Sequence, residues 1–331
     1  MKKLRALAQY TALTALAALL VWVSLRGLAG VEGQDKFGFL WQTLRTADPF
    51  WLWAMAAVAM ASHVIRAERW RMLLEPSGNR IGLLNSFLSL MVGYLVNLAV
   101  PRGGEVSRCY NLLKLEKTPP EISFGTVVVE RVVDVLCLLA LIALSFFVEW
   151  DKLAGFLNTL PLARGHFSVP AWAYVALGAG LAAAAGAYAL RNNRTVKKLW
   201  HGFVQGLQSV FRLRQKTLFL FYSVLIWALY FVTSYCVMQA FPQTAGLGVG
   251  AVLTLFALGS IAMAVPLPGG AGSYHTLLPL GLTALYNVPK TEAIAFVFIF
   301  HAWQTILMIA AGVVSLLLSY ALIRWRQPQA K

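Results

Sequence analysis

Residues 97–108 read Asn-Leu-Ala-Val-Pro-Arg-Gly-Gly-Glu-Val-Ser-Arg, and the fold turns on how this stretch is understood. It closes an apolar run, 82–100, and then interrupts it with a proline, paired glycines and the charges of Arg102, Glu105 and Arg108. Pro101 has no amide donor and its ring clashes inside a helix, so a helix arriving from the N-terminal side ends there. Gly103 and Gly104 allow dihedrals and close backbone approaches that other residues resist. Arg102 and Arg108 carry planar donor forks suited to phosphate or carboxylate, and Glu105 can pair with either. The bland reading is an ordinary cytoplasmic loop. Polar punctuation this dense, in a segment that cannot cross a membrane, favours a site that includes Asn97.

The surroundings are those of an all-α polytopic membrane protein. The 331-residue chain is 59% hydrophobic and only 12% charged, against about 25% charged in typical soluble domains. Apolar stretches at 6–25, 50–66, 124–148, 170–190, 217–240 and 291–322 approach or exceed the roughly 20 residues of a membrane-spanning helix. The longest polar stretch between them, near 191–216, is too short to bury a soluble core. Residues 1–331 therefore read as a single transmembrane domain without an attached soluble enzyme. The N-terminal Met-Lys-Lys-Leu-Arg has the charge pattern of a signal peptide, but the apolar stretch after it is long enough to span, which favours an uncleaved first helix. The net charge of +15 sits in short loops. The positive-inside rule and attraction to anionic headgroups explain it without a nucleic-acid partner. Cys109, Cys137 and Cys236 lie too far apart for a metal site or a disulfide frame. No cofactor is expected, and no Walker-type phosphate loop is present to draw on ATP.

Loop charges orient the chain. Arg66, Arg69, Arg71 and Arg80, the basic segment 191–216, and a tail with Arg324, Arg326 and Lys331 all read as cytoplasmic. Segments 26–48 and 149–169 balance their charges and read as external. The pattern closes if 82–121 and 247–286 fail to cross. The expectation is about six full spans, two oppositely inserted re-entrant helical hairpins near 82–121 and 247–286, and both termini cytoplasmic. The alternative, eight full spans, needs the charged amphipathic stretch 106–121 to cross. Opposed hairpins suggest an inverted repeat with broken helices meeting near the midplane, and such backbone at that depth must be buried in protein or line a wet cavity. Val100-Pro101-Arg102-Gly103-Gly104 and Val265-Pro266-Leu267-Pro268-Gly269-Gly270 are the slight internal echo of that repeat.

Two further groups carry chemistry. Glu130 and Asp134 stand at i and i+4 and share a helix face, whereas Arg131 points elsewhere. Ionisable residues within a membrane helix are expensive and turn toward a partner, a bundle interior or water. The charges of Arg102, Glu105, Arg108, Glu130, Arg131 and Asp134 cancel, so a purely structural ion-pair network is the competing reading. The segment from Pro266 to His275 breaks a helix with prolines and frees the backbone at Gly269, Gly270 and Gly272. A new helix starting near Ser273 would present amides to an anion, with Ser273, Tyr274 and His275 adding hydrogen-bonding groups. His301, in the last expected span, reads as a packing residue, and His63 is ambiguous. Trp51, Trp53, Trp150, Trp172 and Trp325 fall near span ends and read as interfacial anchors.

Together, residues 97–108, Val-Glu-Arg-Val-Val-Asp at 129–134 and Pro-Leu-Pro-Gly-Gly-Ala-Gly at 266–272 resemble the flippase-like family typified by the transmembrane region of lysylphosphatidylglycerol synthases. The resemblance covers most of the chain. It implies a bacterial-type cytoplasmic (inner) membrane protein that moves an anionic phospholipid or lipid-linked headgroup, and it carries over to Arg102, Glu105, Arg108, Glu130, Arg131 and Asp134. The family's third motif often continues to an acidic residue where this chain has His275, which leaves open both ion coupling at that position and a different headgroup. Only a short tail follows the last expected span, so the aminoacyl transfer of the full synthases is not expected, nor is the chain expected to be an enzyme.

The leading expectation is a lipid flippase or transporter working by alternating access, on an anionic phospholipid or a polyprenyl-phosphate-linked lipid. A second is a non-transporting membrane subunit that partners a glycosyltransferase or lipid-modifying enzyme. A third is an intramembrane hydrolase built on Ser273 and His301, although the Gly-x-Ser-Gly setting is missing.

Overall fold

The structure, a computed structural model, describes residues 36–159, 193–265 and 267–326. The expected spans 6–25 and 170–190, Trp172, Pro266 and both termini, with the orientation expected for them, lie outside the described residues. Among the described residues there are helices and no strand. In chain order these are α1 (Lys36–Thr46), α2 (Pro49–Leu74), α3 (Leu83–Ala99), α4 (Gly103–Glu116), α5 (Pro120–Val148), α6 (Trp150–Thr159), α7 (Arg194–Gln208), α8 (Lys216–Gln239), α9 (Pro242–Ala245), α10 (Gly248–Ala264), α11 (Ser273–Tyr286) and α12 (Lys290–Arg326).

Pro49–Ser77, Lys216–Gln239 and Lys290–Trp325 are long and apolar enough to cross a membrane. α5 has 29 residues and carries Glu130, Arg131 and Asp134 near its middle. α3 and α10 have 17 residues each. At 1.5 Å per residue they rise about 26 Å, short of a hydrocarbon core of about 30 Å. The outer surface is as apolar as lipid requires: Val132, Leu136, Leu139 and Phe147 of α5 and Ile306, Val314 and Leu317 of α12 are exposed. Trp53, Trp150 and Trp325 are exposed too, whereas Trp51 packs edge-on against Tyr235 with ring centroids 6.0 Å apart.

The local causes of the elements are legible. Asp48 caps α2, its side chain accepting from Phe50 N at 2.9 Å, and Pro49 takes the first turn where its missing amide does no harm. α2 does not stop at 66, where the expected span ended. It runs on to Leu74 and closes through a 3₁₀ turn and Gly78 at φ 82°. α3 ends at extended Val100, and Arg102 turns the chain in the left-handed region at φ 58°. The Asn97 side chain accepts from Gly104 N at 2.7 Å, so it caps the start of α4 from the end of α3. Gly104 is required there because a Cβ would collide with Gly93 O and lie 2.6 Å from the Asn97 amide. At the open end of this hairpin Glu116 accepts from Asn85.

The second half repeats this pattern. α10 matches α3 at 17 residues, and α11 matches α4 at 14. Both second arms end on a left-handed residue, Lys117 at φ 58° and Asn287 at φ 55°, and both are followed two positions on by a proline, Pro119 and Pro289. A long helix precedes each hairpin (α2, α8) and a long helix follows it (α5, α12). Packing is exchanged between the halves: α3 lies on α12 and α10 on α5, while α1 lies on α12 and α7 on α5. α2 and α8 pack along each other at the centre. The α5–α7 contact is close enough that a Cβ on Gly125 or Gly206 would strike the opposing backbone. The largest core cluster joins α2, α8, α10, α11 and α12 around Met55, Phe241, Leu282 and Phe296.

The α3–α4 crossing yields a prediction. Gly104→Ala overpacks it and should destabilise the protein by about 1–3 kcal/mol, read as a lower midpoint of equilibrium unfolding in mixed micelles. Gly246→Ala, where a Cβ meets nothing within 4 Å, should leave the midpoint unchanged.

Candidate functional site

α5 presents Glu130 and Asp134 one turn apart, and α2 meets them with Arg66 and Arg69, likewise one turn apart. Arg66 Nη2 donates to Asp134 Oδ2 at 2.5 Å, and Arg69 Nη2 donates to Asp134 Oδ1 at 2.7 Å. Arg69 Nη2 also stands 3.6 Å from Glu130 Oε1. The other oxygen of Glu130 accepts from Arg108 of α4. α8 completes the frame: Tyr230 accepts from Arg66 at 3.0 Å and Ser223 from Arg69 at 3.3 Å. The Arg108 guanidinium lies 4.6 Å from the centre of the Trp70 ring, and Trp70 donates to Thr126 at 2.9 Å. Arg69, Arg108 and Glu130 are buried, with side chains no more than 3% exposed.

In front of this buried layer lies a second one. Arg131 Nη2 donates to Glu105 Oε1 at 2.9 Å, and its Nη1 is 3.9 Å from Asp134 Oδ2. Arg102 has no carboxylate partner among the described residues and donates to Ala264 O, at the end of α10, across 3.3 Å. The two hairpin tips therefore touch, and a Cβ on Gly269 would sit 3.3 Å from Leu98.

Arg66, Arg102, Glu105, Arg131 and Asp134 line a cavity of about 610 Å³ shared by α2, α3, α4, α5, α8, α10, α11 and α12. Trp227, Phe256, Met263, Phe296 and Phe300 add apolar and aromatic surface to its lining, beside His301, Gln304 and Thr305. Arg66 Nε, Arg131 Nε and Glu105 Oε2 are buried without a hydrogen-bond partner among the described residues. The cavity thus joins incompletely paired charges to apolar and aromatic surface.

The expected site residues divide between this cavity and its supports. Asn97, Arg102, Glu105, Arg131, Asp134, Gly269, Gly270 and Tyr274 line the cavity. Arg108 and Glu130 lie behind it, and Gly272, Ser273 and His275 are not among its lining. α11 starts at Ser273, but its first turn is already engaged. The Ser273 hydroxyl donates to Ala262 O at 2.7 Å, and Gly272 N donates to His275 Nδ1 at 3.4 Å. With that hydroxyl bound to backbone, the Ser273–His301 pairing that a hydrolase needs is not formed. Glu105 pairs with Arg131 rather than with Arg102 or Arg108. His301 stacks on His275 with ring centroids 4.7 Å apart and faces the cavity. His63 lines it beside Tyr94.

Two arginines were misread from sequence. Arg66 and Arg69 look like cytoplasmic loop charges, yet they are 4% and 0% exposed and bind Asp134. The available signal was that Trp70, Met72, Leu73 and Leu74 follow them, so the apolar helix had not ended. With both included, the network no longer cancels. The repeat also explains the departure at His275. Glu105 and His275 are the third residues of α4 and α11, and Arg131 and His301 are the twelfth residues of α5 and α12. An ion pair in the first half is matched by a histidine pair in the second.

A family model described as the lysylphosphatidylglycerol synthase TM region matches residues 8–312. A UPF0104 membrane protein of Methanocaldococcus jannaschii is 38% identical over 90 residues, covering 26% of this chain and 27% of that protein. The glycosyltransferase AglD of Haloferax volcanii is 28% identical over 83% of this chain and 50% of its own length. A UPF0104 membrane protein of Methanothermobacter thermautotrophicus is 23% identical over 85% of this chain and 89% of its own. The match thus spans about a quarter of the first relative and half of the second. These relatives are archaeal, where the sequence alone suggested a bacterial setting. No solved structure matches the chain.

Burial separates the two layers in a testable way. Arg108→Met leaves Glu130 with a weaker partner in a dry setting and should cost about 3–5 kcal/mol. Arg131→Gln, at a half-exposed pair, should cost no more than about 1 kcal/mol. Unfolding midpoints of the two variants in the same micelles check the difference.

Proposed function

The chain belongs to the lysylphosphatidylglycerol synthase TM-region family, and from that premise we propose that it moves an anionic phospholipid or lipid-linked headgroup between membrane leaflets. The observation that carries this reading is the cavity itself, which sets Arg66, Arg102 and Arg131 together with apolar and aromatic surface where two hairpin tips meet. A lipid is amphipathic in the same sense. Its phosphate meets Arg66, Arg102 and Arg131, and its tails stay against aromatic side chains and the bilayer.

The hairpins α3–α4 and α10–α11 enter as re-entrant pairs from opposite faces of the membrane, and the repeats move against each other around the headgroup. Arg102 supports this reading, because its bond to Ala264 O ties one tip to the other and is easily broken and remade. The buried layer of Arg69, Glu130 and Arg108 holds α2, α4 and α5 as one unit, so that rocking is confined to the tips. The protein sits in the cytoplasmic membrane with both termini inside.

A second reading has a specific observation behind it. The match to a protein named glycosyltransferase AglD covers 83% of this chain. In that reading the domain presents a lipid-linked headgroup to a glycosyltransferase or lipid-modifying enzyme and transports nothing.

Leaflet exchange of a labelled anionic lipid in proteoliposomes tests the first reading. Wild type should accelerate exchange over empty vesicles, and Arg102→Ala combined with Arg131→Ala should slow it at least about tenfold. Equal rates for the two proteins would remove the named site. No exchange by wild type, together with co-purification of a lipid-modifying enzyme, would favour the second reading.

A further inference from the structure

We infer that the headgroup taken by this cavity carries two negative charges, as a phosphate monoester or a diphosphate does, rather than the single charge of an ordinary phosphodiester. The inference rests on the reading of the cavity as a lipid site. Five guanidiniums, Arg66, Arg69, Arg102, Arg108 and Arg131, meet only three carboxylates there, Glu105, Glu130 and Asp134. The excess is two positive charges.

Among the described residues, no group on the cavity wall discharges that excess. A guanidinium does not lose its proton, and protonating any of the carboxylates would enlarge the excess. The remaining polar groups on the cavity wall, among them Tyr94, Asn97, Tyr230 and Gln304, are neutral, and His63 and His301 are neutral or cationic. Of the other acids on the packed helices, Glu68 pairs with Arg71, Glu116 accepts from Asn85 and Glu149 pairs with Lys152, while Glu121 and Glu292, at the starts of α5 and α12, are not among the cavity lining. Arg102 is exposed and the Arg131 side chain is 43% exposed, so the excess lies where an incoming anion can reach it. Its relief by an incoming anion is greatest when the anion brings a matching charge.

A phosphate monoester carries about −1.5 to −2 at pH 7 and has three terminal oxygens to accept from the forks of Arg66, Arg102 and Arg131. A phosphodiester leaves one positive charge unanswered. An aminoacylated, cationic headgroup would add to the excess. The apolar walls identify the source as a lipid and not free phosphate, which has nothing to place against Trp227, Phe256 and Phe300.

A pair of lipids differing by one methyl group tests the charge directly. The full chain in phosphatidylcholine nanodiscs is titrated with phosphatidic acid or with phosphatidylmethanol of the same acyl chains, and bound lipid is read by native mass spectrometry. At about pH 8 phosphatidic acid should bind about tenfold tighter or more, and at about pH 5.5, below its second ionisation near 6, the advantage should largely vanish. Arg131→Gln and Arg102→Gln each lower the excess to one charge, and each should shrink the preference at the higher pH to about threefold or less. Equal binding of the two lipids at the higher pH, with both weakened in the variants, overturns the charge assignment and leaves the site standing. No specific binding of either lipid overturns the site as well. Inorganic phosphate binding as tightly as phosphatidic acid overturns the assignment to a lipid.

Discussion

Two carboxylates on one face of α5, held by arginines from two other helices, are what the rest of the structure depends on. Glu130 and Asp134 are inside an apolar bundle, where ionised groups persist only when paired and hydrogen-bonded. Arg66 and Arg69 reach them from α2 and Arg108 from α4, while Ser223 and Tyr230 of α8 hold the arginines in turn. The network fixes the rotation of each helix about its axis, because turning any of them would leave a charge unpaired. Apolar packing alone tolerates sliding and repacking, and among lipid tails it has no hydrophobic driving force between helices. The polar layer therefore supplies the register that the greasy surfaces of this protein lack.

On that anchored frame sits a repeat whose halves have diverged in chemistry while keeping their geometry. Matching helix lengths, left-handed caps and prolines show that the backbone plan was retained. Glu105 and Arg131 of the first half correspond to His275 and His301 of the second, and Asp134 to Gln304. One half carries fixed charges at these positions, and the other carries histidines and an amide. The cavity sets the fixed charges of the first half beside apolar and aromatic side chains. An amphipathic ligand needs such a polarity, and a symmetric site would lack it.

The same logic divides the named residues by task. Arg108 and Glu130 carry the family motif but stand behind the cavity, where they hold the helices that present Arg131 and Asp134. Four of the six motif charges therefore line the cavity, and two stand behind it. A residue can recur in a motif because the frame needs it, without touching what the cavity binds.

Composition and spacing by themselves determined the membrane class, the helix breaks at Pro101 and at the Pro-Gly run before Ser273, and the shared face of Glu130 and Asp134. These are local properties: hydropathy over a span, the missing amide of proline, the helical period. The tertiary structure alone decided who pairs with whom. Glu105 chose Arg131 over its nearer neighbours in sequence, Arg66 and Arg69 left the loop for the core, and Arg102 bridged to a backbone carbonyl 162 residues away. The physical reason is that a charge in an apolar bundle is stabilised by whatever partner folding brings within reach, and distance along the chain has no bearing on that distance. The opening stretch at 97–108 was rightly read as a break in a membrane segment, but what it builds depends on a second break far along the chain.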